Sequence, residues 1–189
     1  DGGWRPSQRG GGKCWPANDA VWRQCGKRAK AMALFLSTTT NKVDNKGRVS
    51  VPAAFRAVLA GQSFHGIVAL PSFKYPAIQC GGMEWMEKLS AGVGAFDIFS
   101  DEHDTLTATL FANAQQLAFD GEGRIILPAS LVEHANITKT AAFVGRGPLF
   151  EIWHPGDFAD YQSEAVRRAA EQGLTLRPAG PPGDNGGAN

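Results

Sequence analysis

The 189 residues carry 19 Lys or Arg against 18 Asp or Glu, with 43% hydrophobic and 10% aromatic residues. The 158 residues from Met32 onward suit one compact domain with a modest core. The sequence excludes a membrane-spanning helix, because no run approaches about 18 apolar residues, and a disulfide framework, because there are only three cysteines.

Residues 1–31 differ in composition from the rest of the chain. They hold eight Gly or Pro, three of the five Trp, two of the three Cys and almost no aliphatic side chains, and no Met precedes Met32. Leader sequence translated from upstream of a start at Met32 is the expectation here, with a disordered basic arm as the alternative. This segment has seven Lys or Arg against two Asp, so 12 basic residues face 16 acidic ones from Met32 onward, a net charge of −4.

The first organised unit is DNKGRVSVPAAF, Asp44 to Phe55. Asp-x-x-Gly-Arg between apolar segments predicts a hairpin turn, in which Asp accepts from amides ahead of it and Gly takes a positive φ. A strand leads into the turn, a second runs from Arg48 to Val51, and a short helix follows from Pro52, which stands where a first helical turn tolerates a missing N–H. Two apolar strands, Gly66 to Leu70 and Ala77 to Cys80, and a helix from Met83 to Leu89 complete the half. Asp101 to Ala114 reads as a connecting helix, since Asp101 and Glu102 suit the positive end of its dipole.

The unit then recurs without a gap 76 residues on, as DGEGRIILPASL from Asp120 to Leu131. Strands at Ala141 to Gly145 and Leu149 to Trp153 come after it, then a helix from about Gly156 to Gln172. Phe158, Tyr161, Ala165 and Ala169 recur on this helix at helical spacing, and Gly173 is its expected cap. Copy two has Glu122 and Ile126 where copy one has Lys46 and Ser50. Its strand is therefore apolar on both faces, which predicts burial of Ile126 inside the subunit, or else packing on a neighbouring one. A long period present twice indicates a duplicated half-domain. The expected organisation is a leader at 1–31, a first half at 32–100, a connecting helix at 101–114, a second half with its helix at 115–176, and a disordered tail at 177–189.

Residues 32 to about 161 resemble the MraZ family of bacterial transcriptional regulators. The match is carried by Lys42 to Pro52, by Phe119 to Pro128, and by Val144-Gly145 with Phe150-Glu151-Ile152-Trp153. The resemblance implies an α+β, mainly β fold in which two AbrB-like swapped-hairpin half-domains interleave into one small barrel with peripheral helices. It further implies a ring-shaped homo-oligomer in the cytoplasm, associated with the nucleoid. Such a ring binds double-stranded DNA at G-rich direct repeats upstream of the division and cell-wall gene cluster that contains its own gene.

Under that resemblance Arg48 and Arg124 are the expected DNA readers, because a guanidinium matches the O6 and N7 edge of guanine in the major groove. Lys46 and Lys42 are the expected phosphate contacts. Asp44, Gly47, Asp120 and Gly123 are assigned to turn structure. Taken alone, an Asp and an Arg four residues apart are as readily explained by a surface ion pair. The net negative body lacks the usual basic footprint of a DNA binder, which keeps open a protein-interaction module of the same fold. An antitoxin-like regulator is a further alternative, and a double-psi barrel enzyme ranks last. Cys14, Cys25 and Cys80, and His65, His103, His134 and His154, lack metal-ligand spacing. No catalytic residue, metal, cofactor, membrane partner or small-molecule substrate is expected.

Overall fold

The computed structural model describes residues 34–175. The leader expected at 1–31, with Cys14 and Cys25, and the tail expected at 177–189 lie outside the described residues. Eight strands are described: β1 (Thr38–Lys42), β2 (Arg48–Ser50), β3 (Gly66–Pro71), β4 (Ala77–Gly81), β5 (Gln115–Ala118), β6 (Arg124–Ile126), β7 (Thr140–Gly145) and β8 (Phe150–Trp153). The helices are α1 (Ala53–Val58), α2 (Met83–Val93), α3 (Asp101–Leu110), α4 (Ala129–His134) and α5 (Pro155–Glu171).

All pairing between these strands is antiparallel, in a six-stranded sheet of order β1-β7-β8-β4-β3-β5 and a two-stranded ribbon of β2 and β6. The two halves of the sequence are mixed throughout. β1 pairs with β7, β5 with β3, β4 with β8 and β2 with β6, so every strand has a partner from the other half. The arms leaving each tight turn therefore separate: beyond the first turn, β1 and β2 form no ladder and are joined by the isolated Val43–Val49 bridge and by Asn41 Nδ2, which donates to the Ser50 carbonyl at 2.6 Å.

The described residues form no closed barrel, which corrects the expected architecture. β1 and β5 are the outer strands of the sheet, and the ribbon remains separate from it. Strands β2 and β6 have three residues each before Pro52 and Pro128. A proline brings no N–H to a ladder, so these strands stop too early to complete a ring of hydrogen bonds.

Side chains alternate across the sheet, and both faces are covered. Ile67, Ile78, Phe143 and Ile152 point into the main core beneath α1, α4 and the ribbon, where Phe55 and Phe150 have ring centroids 5.0 Å apart. On the opposite face, Ala142, Val144 and Trp153 pack with Phe158 of α5, while Leu70 packs with Val93 and Leu110 of α2 and α3. Burial on both faces explains why these strands read as unbroken apolar runs.

The helix ends have local causes. Ser100 caps α3 by accepting the His103 N–H at 3.1 Å, and Asp101, Glu102 and Asp104 occupy its first turn. Pro155 opens α5, and past its end Gly173 takes φ 57° while the Leu174 N–H reaches the Ala169 carbonyl. No described helix is long and apolar enough to cross a membrane.

Candidate nucleic-acid interface

Each Asp-x-x-Gly-Arg turn is built by its own aspartate. Asp44 Oδ1 accepts the backbone N–H groups of Lys46 and Arg48 at 2.8 and 2.9 Å, and its Oδ2 accepts Arg48 Nε at 2.6 Å. Asp120 does the same for Glu122 and Arg124, both at 2.9 Å, and holds Arg124 Nε at 2.7 Å. The glycines, Gly47 at φ 74° and Gly123 at φ 73°, let the chain reverse. Acceptance of the Arg124 backbone N–H, then of its guanidinium, lowers the Asp120 pKa from 3.8 to about 2. Asp44 is lowered chiefly by the Arg48 backbone N–H.

Each turn is also clamped by the opposite half. The Gly47 carbonyl accepts the Leu127 N–H at 2.9 Å, and the Gly123 carbonyl accepts the Val51 N–H at 3.1 Å. These two bonds flank the ribbon, where Arg48 pairs with Ile126, Val49 with Ile125 and Ser50 with Arg124. Val49 and Ile125 are buried in the main core. By alternation, Arg48, Ser50, Arg124 and Ile126 share the outward face. The Val43–Val49 bridge sets Lys42 and Asp44 on that face too, beside Ser50 and Arg48. Asp44 lies near enough to Arg124 across the ribbon to help raise its pKa, after the larger effect of the Asp120 hydrogen bond.

The two arginines are anchored differently. Arg48 is held through Nε alone, and no partner holds its terminal nitrogens among the described residues. Arg124 is held at Nε by Asp120 and at Nη1 by Glu122, 2.6 Å away. Lys42 and Lys46 are exposed; their positions in copy two are Ala118 and Glu122. The outward face is therefore cationic at the first turn and neutralised at the second.

Two features were not legible in the residue pattern. Ile126 is 60% exposed, which corrects the expected burial inside the subunit. Its strand belongs to a two-stranded ribbon with one face open, so the apolar run Ile125-Ile126-Leu127 has only one covered side. The second feature is Arg56 of α1, whose guanidinium lies against Gly123 of the other half; nothing local to Arg56 signals that contact.

The remaining titratable candidates are dispersed. His65 packs edge-on against Phe119, His103 lies in the first turn of α3, and His154 is 3.4 Å from Asp157. Among the described residues no three His, Cys, Asp or Glu converge on a common point. Cys80 is fully buried, and burial, followed by the nearby Glu151, pushes its thiol well above the ordinary range. On the sheet face beneath α5, Glu151 is buried and accepts Arg146 Nε at 2.8 Å and Trp153 Nε1 at 2.9 Å.

Residues 110–177 match the protein family described as "MraZ protein, putative antitoxin-like". The chain is 48% identical over 147 residues to the transcriptional regulator MraZ of Rickettsia bellii (strain OSU 85-389), covering 77% of this chain and 98% of that protein. It is 47% identical over 148 residues to the protein of the same name from Rickettsia felis (strain ATCC VR-1525 / URRWXCal2), covering 78% and 99%. With the Rickettsia typhi (strain ATCC VR-144 / Wilmington) protein of that name it shares 49% over 146 residues, covering 77% and 98%.

Proposed function

The chain belongs to the MraZ family, and from that membership we propose that it is a transcriptional regulator whose paired turns bind double-stranded DNA. Arg48 reads guanine, Arg124 assists it, and Lys42 and Lys46 hold phosphates. The two halves are related as AbrB-like swapped hairpins, a reading supported by strand arms that leave one turn and pair with the other half. The target is a set of G-rich direct repeats upstream of the division and cell-wall gene cluster that includes its own gene, which places the protein at the nucleoid.

One observation carries this reading: a cationic, outward-facing guanidinium fixed at Nε with its terminal nitrogens unpartnered among the described residues. Such a group is oriented before binding and presents two parallel donors, the arrangement that guanine O6 and N7 accept. Arg48 and Arg124 lie diagonally across the ribbon, a separation of about 7–8 Å between such positions. That is about two base steps of roughly 3.4 Å.

Because the net charge from residue 32 onward is −4, the basic patch is local, and repetition of it around a homo-oligomeric ring supplies affinity through effective concentration. The test is an anisotropy titration on DNA from upstream of the chain's own gene and on a shuffled duplex, across a salt series. Selective binding that weakens with salt supports the reading. A folded protein that binds both duplexes equally, or neither, refutes it.

A further inference from the structure

We propose that Arg56 is a phosphate-binding residue that flanks the second turn, supplied to that turn by the first half of the chain; this rests on the DNA-binding reading above.

The second turn is the electrostatically deficient one. Glu122 replaces Lys46, Ala118 replaces Lys42, and Arg124 is shared between Asp120 and Glu122. Arg56 restores a cation at that turn. It leaves α1 of the first half, donates Nε to the Val51 carbonyl at 3.2 Å, and lays its guanidinium over Gly123, where an added Cβ would sit 2.6 Å from Nη1. Gly123 has room for this side chain only because it has none of its own. Among the described residues no carboxylate pairs with Arg56; Asp120 also lines the cleft, and its carboxylate is committed to Arg124. The cleft is open, about 560 Å³, and is bordered by Ala57, His65, Phe119 and Gly121 as well as Arg56.

The arrangement is not repeated at the first turn. The position corresponding to Arg56 is Val132, which packs against the core, and what approaches Gly47 is the Leu127 carbonyl. A structural clamp needed by both turns would be present at both. A cation present only where the turn has lost its own lysines points instead to charge compensation. A turn inserted in a major groove about 12 Å wide has phosphates on either side. A side chain on the flank of the turn, off the outward face of the ribbon, is placed for a phosphate and not for a base.

The experiment measures affinity against salt for the full chain on its upstream DNA, with Arg56→Gln, Arg56→Lys and Ala57→Glu, and checks each variant by urea unfolding. Loss of one phosphate contact lowers the slope of log K against log salt by about 0.9 for each engaged subunit, so affinity falls about three- to fourfold less over a fourfold rise in salt. Arg56→Gln is expected to show that change and to keep its preference for upstream over shuffled DNA, while Arg56→Lys keeps the original slope. Ala57→Glu sets a carboxylate at an exposed position beside Arg56 and is expected to lower the slope as well; it decides the matter if Arg56→Gln does not fold. An unchanged slope in Arg56→Gln, or in Ala57→Glu where Arg56→Gln is unfolded, overturns the proposal. So does an equal affinity loss in the Gln and Lys variants at constant slope, the signature of a purely structural role. A wild-type chain that binds no DNA refutes the DNA-binding reading itself, a separate outcome visible before any variant is compared.

Discussion

Gly47 and Gly123 have nearly the same φ, 74° and 73°, yet replacing each with Ala should cost different amounts. Both variants force an L side chain into the left-handed region, at about 1–2 kcal/mol. At Gly47 the new Cβ would also stand 2.9 Å from the Leu127 carbonyl oxygen, a backbone atom fixed between β6 and α4. Relief requires the turn to move, which stretches the 2.9 Å bond from the Leu127 N–H to the Gly47 carbonyl, worth about 1 kcal/mol. At Gly123 the Cβ meets the guanidinium of Arg56, the far end of a flexible side chain, which swings into the open cleft and exchanges its 3.2 Å bond from Nε to the Val51 carbonyl for bonds to water. Gly47→Ala should therefore lose about 2–3 kcal/mol and Gly123→Ala about 1–2 kcal/mol. Urea unfolding at matched protein concentration measures both. Equal costs, or a larger one at Gly123, would refute the idea that the neighbour decides the penalty.

Three further outcomes are expected. Glu151→Ala leaves the Trp153 indole N–H buried without an acceptor and removes the partner of Arg146; the loss should be about 3 kcal/mol, at the low end for a broken buried pair because Arg146 retains access to water, and a urea-derived loss below about 1 kcal/mol would show that neither group depends on Glu151. Asp120 has a folded pKa depressed to about 2, so its stabilising contribution is fully present above its ordinary pKa of 3.8 and disappears as pH falls through the folded value. The gap in urea midpoint between wild type and Asp120→Asn should thus hold steady near neutral pH and shrink between about pH 4 and pH 2, whereas a gap that widens on acidification would contradict the pairing. Ile126→Thr keeps the β-branch on an exposed strand position and should change stability by no more than about 0.5 kcal/mol; a cost of about 2 kcal/mol or more, as for a truncated core residue, would place Ile126 under cover.

What was legible in the sequence is what is decided locally. The turns result from Asp44 and Asp120 bonding to amides two and four residues ahead, and α1 and α4 from Pro52 and Pro128, all within a dozen residues. Strands β3, β4, β7 and β8 appear as apolar runs because both faces of their sheet are covered. Ile126 misleads for the same reason, since an apolar run in a one-sided ribbon looks identical to one in a covered sheet. β1, with the sequence TTTNK, has no apolar pattern, so only its place before the tight turn announces a strand, and β7 supplies its ladder. The Arg56 contact with Gly123 joins the two halves through the tertiary fold, and although Pro52 and Pro128 mark where β2 and β6 stop, the pairing between halves that leaves the ribbon apart from the sheet is not written in the repeat.

Binding of Arg48→Ala and Arg124→Ala to the upstream repeats, each compared with a duplex in which the guanines are replaced, decides whether the paired turns read DNA. Arg48 as the freer reader predicts a loss of about 1–3 kcal/mol, roughly 5- to 150-fold, with discrimination against the replaced duplex largely abolished. Arg124→Ala should lose less, because Glu122 already occupies its terminal nitrogen. Unaltered affinity and discrimination in Arg48→Ala, with its fold intact, would contradict the assignment of the first turn as the reader of DNA.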